Sequence, residues 1–257
     1  MTDIPLDRQV AAYWDEHVHD LEIATHPVGT PEFFQELDDY RYDKLRYLPQ
    51  LLNFASFKGK SLLEIGCGVG TDLVRFAEAG AVVTGIDISP VALELAGQNF
   101  QQHGLEAELI NMDGASMDFP PDCFDTVYAH GVVQYAADPA SMVQETYRVL
   151  KPGGQAILMV YNKYSWLNLM SKITGVPLEH EDAPVYRKYS MLEFKRLLQP
   201  FHTYSIVPER FPVRTRLHEG WKARLFNEGF VGLFNLIPRR LTRPLGWHLI
   251  AFASRAP

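Results

Sequence analysis

Cysteine is nearly absent: Cys67 and Cys123 are the only two in a chain of 257 residues. Their separation gives neither a metal-ligand spacing nor a disulfide framework, so no structural metal is expected and the composition suits a reducing cytoplasm. Long apolar runs are missing as well. No stretch approaches the roughly 20 residues of a membrane span, and the start, MTDIPLDRQV, lacks the character of a signal peptide. Internal repeats and low-complexity segments are also absent. A basic excess is lacking: the net charge is −7, which argues against a general nucleic-acid binder. That charge is uneven, since residues 1–186 hold 11 Lys and Arg against 27 Asp and Glu, while residues 187–257 hold 13 against 4. An acidic body carries a basic C-terminal third.

What is present is alternation. From residue 61 to about 160, short apolar runs alternate with amphipathic stretches, the pattern of a parallel sheet flanked by helices. SLLEIGC (61–67), AVVTGIDIS (81–89), AELINMD (107–113), FDTVYAHG (124–131) and GGQAILMVYN (153–162) read as strands, with HTYSIVPERF and WHLIAFASR (247–255) adding two more. Ser89-Pro90 and Asp138-Pro139 each supply a helix cap followed by proline at the first helical position. The expected fold is α/β, a Rossmann-like open sheet of about seven strands with helices on both faces. Residues 1–60 are helix-biased and predict an N-terminal helical lid over a core at 61–162. Residues 163–257 complete the sheet and carry cap insertions, all within one catalytic domain.

The stretch LLEIGCGVGTD (62–72) puts a glycine turn between a strand and a helix N-terminus, where backbone can approach a ligand closely. A phosphate loop would end Gly-Lys-Ser/Thr, but Gly70-Thr71-Asp72 stands there. A dinucleotide fingerprint would need glycine at 71. Gly66, Gly68 and Gly70 instead form G-x-G-x-G, with Glu64 before them and Asp87 at the end of the next strand. This pattern resembles the first motif of the class I S-adenosylmethionine-dependent methyltransferases. Asp113-Gly114 after the third strand and LKPGG (150–154) before the fifth extend the likeness. DTVYAHGVVQYAADPASMVQETYRVLKPGGQAILMVYNK is similar to the ubiquinone and menaquinone methyltransferases and many small-molecule methyltransferases.

The resemblance implies S-adenosyl-L-methionine as cofactor and S-adenosyl-L-homocysteine as product. It implies cofactor contacts from Glu64, Gly66, Cys67, Gly68, Gly70, Asp87, Ile88, Asp113, Gly114 and His130. Asp87 would accept from the ribose hydroxyls, and Asp113 would accept from the adenine amino group or else cap its own Asp-Gly turn. Cys67 reads as a small buried filler. His130 would sit beside the transferring methyl, as a general base with Tyr135 second, or as a structural histidine. Relatives that carry Leu-His-His after this strand contrast with Val133-Gln134-Tyr135 here. His26, Tyr42 and Tyr161 are candidate substrate contacts, and Arg41 and Arg46 among them suit a carboxylate. The expected reaction is O- or N-methylation of a small-molecule acceptor by a cytoplasmic enzyme that uses no metal. Two alternatives stand beside it: a lipid or quinone acceptor at a membrane surface, touched by the basic, apolar stretch 224–247, or a catalytically silent cofactor-binding regulator.

Overall fold

The computed structural model describes residues 4–18, 21–213 and 225–257. Seven strands form one sheet: β1 (Ser61–Ile65), β2 (Val82–Asp87), β3 (Glu108–Asn111), β4 (Phe124–His130), β5 (Leu150–Tyr161), β6 (Thr203–Glu209) and β7 (His248–Ser254). Their order is β3-β2-β1-β4-β5-β7-β6. The first five are mutually parallel, and β7 inserts antiparallel between β5 and β6. The order reverses between β1 and β4, the switch point at which open α/β sheets bind ligands beyond the carboxyl ends of their strands.

Before the sheet come α1 (Leu6–Glu16), α2 (Pro31–Lys44) and α3 (Leu48–Leu51). The sheet is then interleaved with α4 (Thr71–Glu78), α5 (Pro90–His103), α6 (Pro139–Val149), α7 (Trp166–Thr174) and α8 (Met191–Leu197). Local sequence explains most boundaries. Ser89 accepts from the N–H of Ala92, and Asp138 accepts from those of Ala140 and Ser141, each ahead of a proline at the first helical position. Ser190 and Glu193 close a reciprocal capping box at α8. One strand differs from expectation: β5 starts at Leu150 rather than Gly153, because LKPGG is absorbed as a bulge. Phe124 pairs with Leu150 and Thr126 with Gln155, and Gly153 takes φ 74° to make the bend.

Apolar side chains cover both faces of the sheet. A third cluster joins the N-terminal helices to the body: Phe33, Phe34 and Leu37 of α2 pack with Val69, Ala92 and Leu95. Each of the larger of these side chains stabilises the contact by about 1.5–3 kcal/mol. Charge fixes the geometry of the same contact. Asp38 and Arg41 of α2 face Arg75 and Asp72 of α4, so two bidentate Arg–carboxylate pairs run in opposite senses between the helices. Arg75 also lies 3.8 Å over the ring of Tyr42.

Candidate active site

One cavity runs from the glycine turn to the underside of α1 and α2. At the turn, the N–H groups of Gly66 and Cys67 donate to Ile86 O at 2.7 and 3.1 Å, tying the loop to β2. Gly66 takes φ 67°, and a Cβ there would lie 2.4 Å from Val132 Cγ2. At Gly68, with φ 54°, an added Cβ would meet no protein atom within 4 Å, although Gly68 lines the cavity. The bare backbone of Gly68 therefore borders ligand space. Gly70 packs against Ala96 and Phe100 of α5 and does not line the cavity.

Three carboxylates converge beyond this turn. Asp87 accepts from Gly68 N at 2.8 Å and from Ser89 N at 2.9 Å, which aims its head at the loop. Asp113 accepts from Ala115 N at 2.8 Å and also lines the cavity, so it both closes its turn and faces the ligand space. Glu64 is buried, and its Oε2 has no hydrogen-bond partner among the described residues. Burial, and then the charge of Asp72, push the Glu64 carboxyl well above its ordinary value. Ile88, Gly114 and Cys67 line the same end, and burial pushes the Cys67 thiol up and keeps it protonated.

The other end is polar, aromatic and cationic. His130, at the end of β4, contacts Arg41 Nη2 through Nδ1 at 3.4 Å and Tyr47 OH through Nε2 at 2.8 Å. Tyr47 OH also contacts His248 Nδ1 at 2.5 Å, and His248 Nε2 meets Arg210 Nη1 at 3.1 Å. Burial, and then the charge of Arg41, hold His130 down to about 3. Burial and Arg210 hold His248 well below its ordinary value. Both rings are neutral at physiological pH. Asp72 anchors the network from behind, accepting from Arg41 Nε at 2.6 Å, Tyr42 OH at 3.0 Å and Tyr128 OH at 2.8 Å. Burial alone would raise its carboxyl, but Arg41 outweighs burial and keeps it ionised.

The sequence-derived candidates separate clearly. Tyr161 and Tyr135 line the cavity, with their hydroxyls 3.4 Å apart, and Trp14 of α1 meets Tyr135 edge-on at 4.9 Å. Burial, and then Tyr161, push the Tyr135 hydroxyl far up, so it keeps its proton. His26 is half exposed in a pair with Glu36, Arg46 is paired with Asp43 at the surface, and Tyr42 faces Asp72; none of the three lines the cavity. Arg224, the first residue of the stretch 224–247, lies outside the described residues. Of the remainder, only residues at its end approach the site, Trp247 stacking on Tyr161 at 4.5 Å. Tyr47, Arg210 and His248 carry no sequence motif and are found only through the fold.

The strand order with β7 antiparallel, the glycine turn and Asp87 at the end of β2 form the arrangement found in class I S-adenosylmethionine-dependent methyltransferase domains. Residues 63–158 match the family model described as a methyltransferase domain. The ubiquinone biosynthesis O-methyltransferase of Pseudomonas entomophila (strain L48) is 29% identical over 131 residues, 51% of this chain and 55% of that protein. The phosphatidylethanolamine N-methyltransferase of Cereibacter sphaeroides is 34% identical over 125 residues, 47% of this chain and 61% of that protein. The chain thus spans little more than half the length of these curated relatives. The crystal structure of magnesium protoporphyrin IX methyltransferase from Synechocystis PCC 6803 superposes with a TM-score of 0.64 at 18% identity, over 96% of this chain and 98% of that one.

The cofactor of this domain class is S-adenosyl-L-methionine, and the cavity suits it. The unpartnered Glu64 Oε2, the open space at Gly68 and a set of acceptors in place of phosphate-binding donors match a cationic ligand without phosphate. A titration prediction follows from Glu64. In the free protein burial raises its pKa and favours the protonated carboxyl, and a cation beside it favours ionisation. Binding S-adenosylmethionine is expected to release a proton, with affinity rising as pH climbs toward the raised pKa. Calorimetry in buffers of different ionisation enthalpy measures the release. Glu64→Gln should abolish it, and no release in the parent protein would contradict the assignment. The free protein itself should lose stability as pH rises from the ordinary carboxylate range through the raised value.

Proposed function

We propose that this protein transfers the methyl group of S-adenosylmethionine to the oxygen or nitrogen of a small-molecule acceptor. The continuity of one cavity, from the acidic glycine-turn end to the His130, Arg41 and Arg210 end, supports the reading. When bound, S-adenosylmethionine supplies an electrophilic methyl on a sulfonium sulfur. Glu64, Asp87 and Asp113 hold it, while Trp14, Tyr135 and Tyr161 wall the acceptor and exclude water, so that alignment lowers the barrier. His130 does not act as a base, because both of its ring nitrogens are engaged, Nδ1 by Arg41 and Nε2 by Tyr47. Its protonated form is disfavoured beside Arg41, so the site works chiefly by stabilising an already ionised acceptor oxygen or by taking a neutral amine. Tyr135 orients the acceptor as a donor. Methyl-labelled S-adenosylmethionine offered with phenols, carboxylic acids and amines tests the proposal. Acceptor-dependent formation of S-adenosylhomocysteine is expected, and cofactor binding without transfer to any of them would overturn it.

A lipid or quinone acceptor is a second reading, favoured by one observation besides the names of the curated relatives. Leu233, Leu236 and Leu241 are exposed beside the exposed Arg240 and Arg243, a combination that suits an anionic membrane surface. No described helix is long and apolar enough to cross a membrane. Flotation with phosphatidylglycerol vesicles separates the readings: binding lost in Leu233→Ser/Leu236→Ser favours the lipid acceptor, and no binding favours the soluble one.

A further inference from the structure

The chain Arg41–His130–Tyr47–His248–Arg210 holds more hydrogens than its contacts can use. It has four contacts, at 3.4, 2.8, 2.5 and 3.1 Å. Both ends are arginines, which only donate. Each neutral histidine brings one N–H, and a tyrosine brings one O–H. Five hydrogens therefore point along four contacts, and wherever the ring tautomers are placed, one contact sets two donors face to face. Burial keeps the proton on Tyr47 even against the pull of Arg210 and Arg41, so a tyrosinate does not relieve the excess.

An added acceptor oxygen would relieve it. If that oxygen accepts from both His248 Nε2–H and Arg210, the hydrogens run in one direction, from Arg41 through His130 and Tyr47 to His248 and the ligand. Charge selects this end over the other. Arg41 is neutralised by the ionised Asp72, and Lys44, which also lines the cavity, is paired with Glu179 at 3.0 Å. Among the described residues Arg210 has no carboxylate partner, and the neutral His248 ring is the one hydrogen-bond contact of its guanidinium. The neighbourhood is flat and aromatic: Tyr161 stacks on Trp247 at 4.5 Å and lies nearly parallel to His248 at 5.7 Å.

We propose that Arg210 and His248 form an oxyanion subsite that holds the carboxylate of a planar aromatic acid, the methyl acceptor. This deepens the methyl-transfer reading and rests on it. The planar fork of Arg210 suits a carboxylate, and the relay from Arg41 orients His248 as a donor toward it. Arg210 is a binding residue here, whereas Tyr47 is a positioning residue that acts through His248.

The test uses the full chain saturated with S-adenosylhomocysteine. Calorimetry compares benzoate and 4-hydroxybenzoate with benzamide and 4-hydroxybenzamide, and with inorganic phosphate. The acids are expected to bind about tenfold or more tighter than their amides. Arg210→Met should erase that preference, and Arg210→Lys should keep part of it. Equal binding of acid and amide, an acid preference untouched by Arg210→Met, or phosphate binding as tightly as the acids would overturn the subsite. S-adenosylhomocysteine binding itself separates the two levels. Its failure in the parent protein would sink the methyltransferase reading, whereas normal binding without acid preference would sink only the subsite.

Discussion

Asp72→Ala is expected to lower the unfolding free energy by about 3–5 kcal/mol, the cost of removing one partner from a buried ion pair. Asp72 is buried at the first turn of α4 and accepts from Arg41, Tyr42 and Tyr128. Its loss strands a buried guanidinium and deprives two phenols of an acceptor. Urea unfolding should show a lower midpoint with an unchanged slope, and a loss below about 1 kcal/mol would mean that Arg41 finds another partner. Adding Arg41→Met to Asp72→Ala should recover much of the loss, since removing both charges leaves neither uncompensated. The pH dependence has a definite sign. The carboxyl of Asp72 is depressed in the folded state, so its contribution is complete above the ordinary aspartate range and fades as pH falls below it.

The second large effect is on the cofactor. Asp87→Ala is expected to weaken S-adenosylmethionine binding by roughly 1.5–3 kcal/mol, the range for hydrogen bonds to a charged group, or about tenfold to more than a hundredfold in Kd. Asp87 acts in two ways: it faces the ligand space, and it ties Gly68 and Ser89 to the end of β2. Asp87→Asn keeps one oxygen acceptor and should fall between the parent and alanine. Calorimetry reads both variants, and unchanged affinity in Asp87→Ala would remove Asp87 from the cofactor site.

The acidic glycine-turn end of the cavity was legible in the sequence because its parts are local. A glycine turn between strand and helix, and an acid at the next strand end, are short-range demands of backbone geometry and charge, and all the strands were recognisable from their apolar runs. The His130–His248–Arg210 end was not legible. Tyr47 meets His130 across 83 positions and His248 across 201, and neither pairing leaves a periodic or spaced pattern. Composition alone does not place His26 or Tyr42, because His26 pairs with Glu36 of the neighbouring α2 and Tyr42 with Asp72 across the α2–α4 contact. One spacing in the sequence does carry the pairing. Asp38-x-x-Arg41 on α2 and Asp72-x-x-Arg75 on α4 share a spacing, and each aspartate pairs with the other helix's arginine.

The place of β7 also makes the last strand the link on which the sheet's edge depends. Among the described residues β7 is the sole neighbour of β6 in the sheet, and β7 follows it in the chain. The strand ending just before Arg210 therefore joins the sheet only through residues 248–254, whether these dock beside β5 first or arrive already paired with β6. Because His248 arrives with that last strand, the relay closes only when the most sequence-distant pairing forms, a late and slow event for a chain rich in non-local contacts. A chain shortened before residue 248 would lose two strands rather than one, and with them both groups of the proposed acid-binding corner.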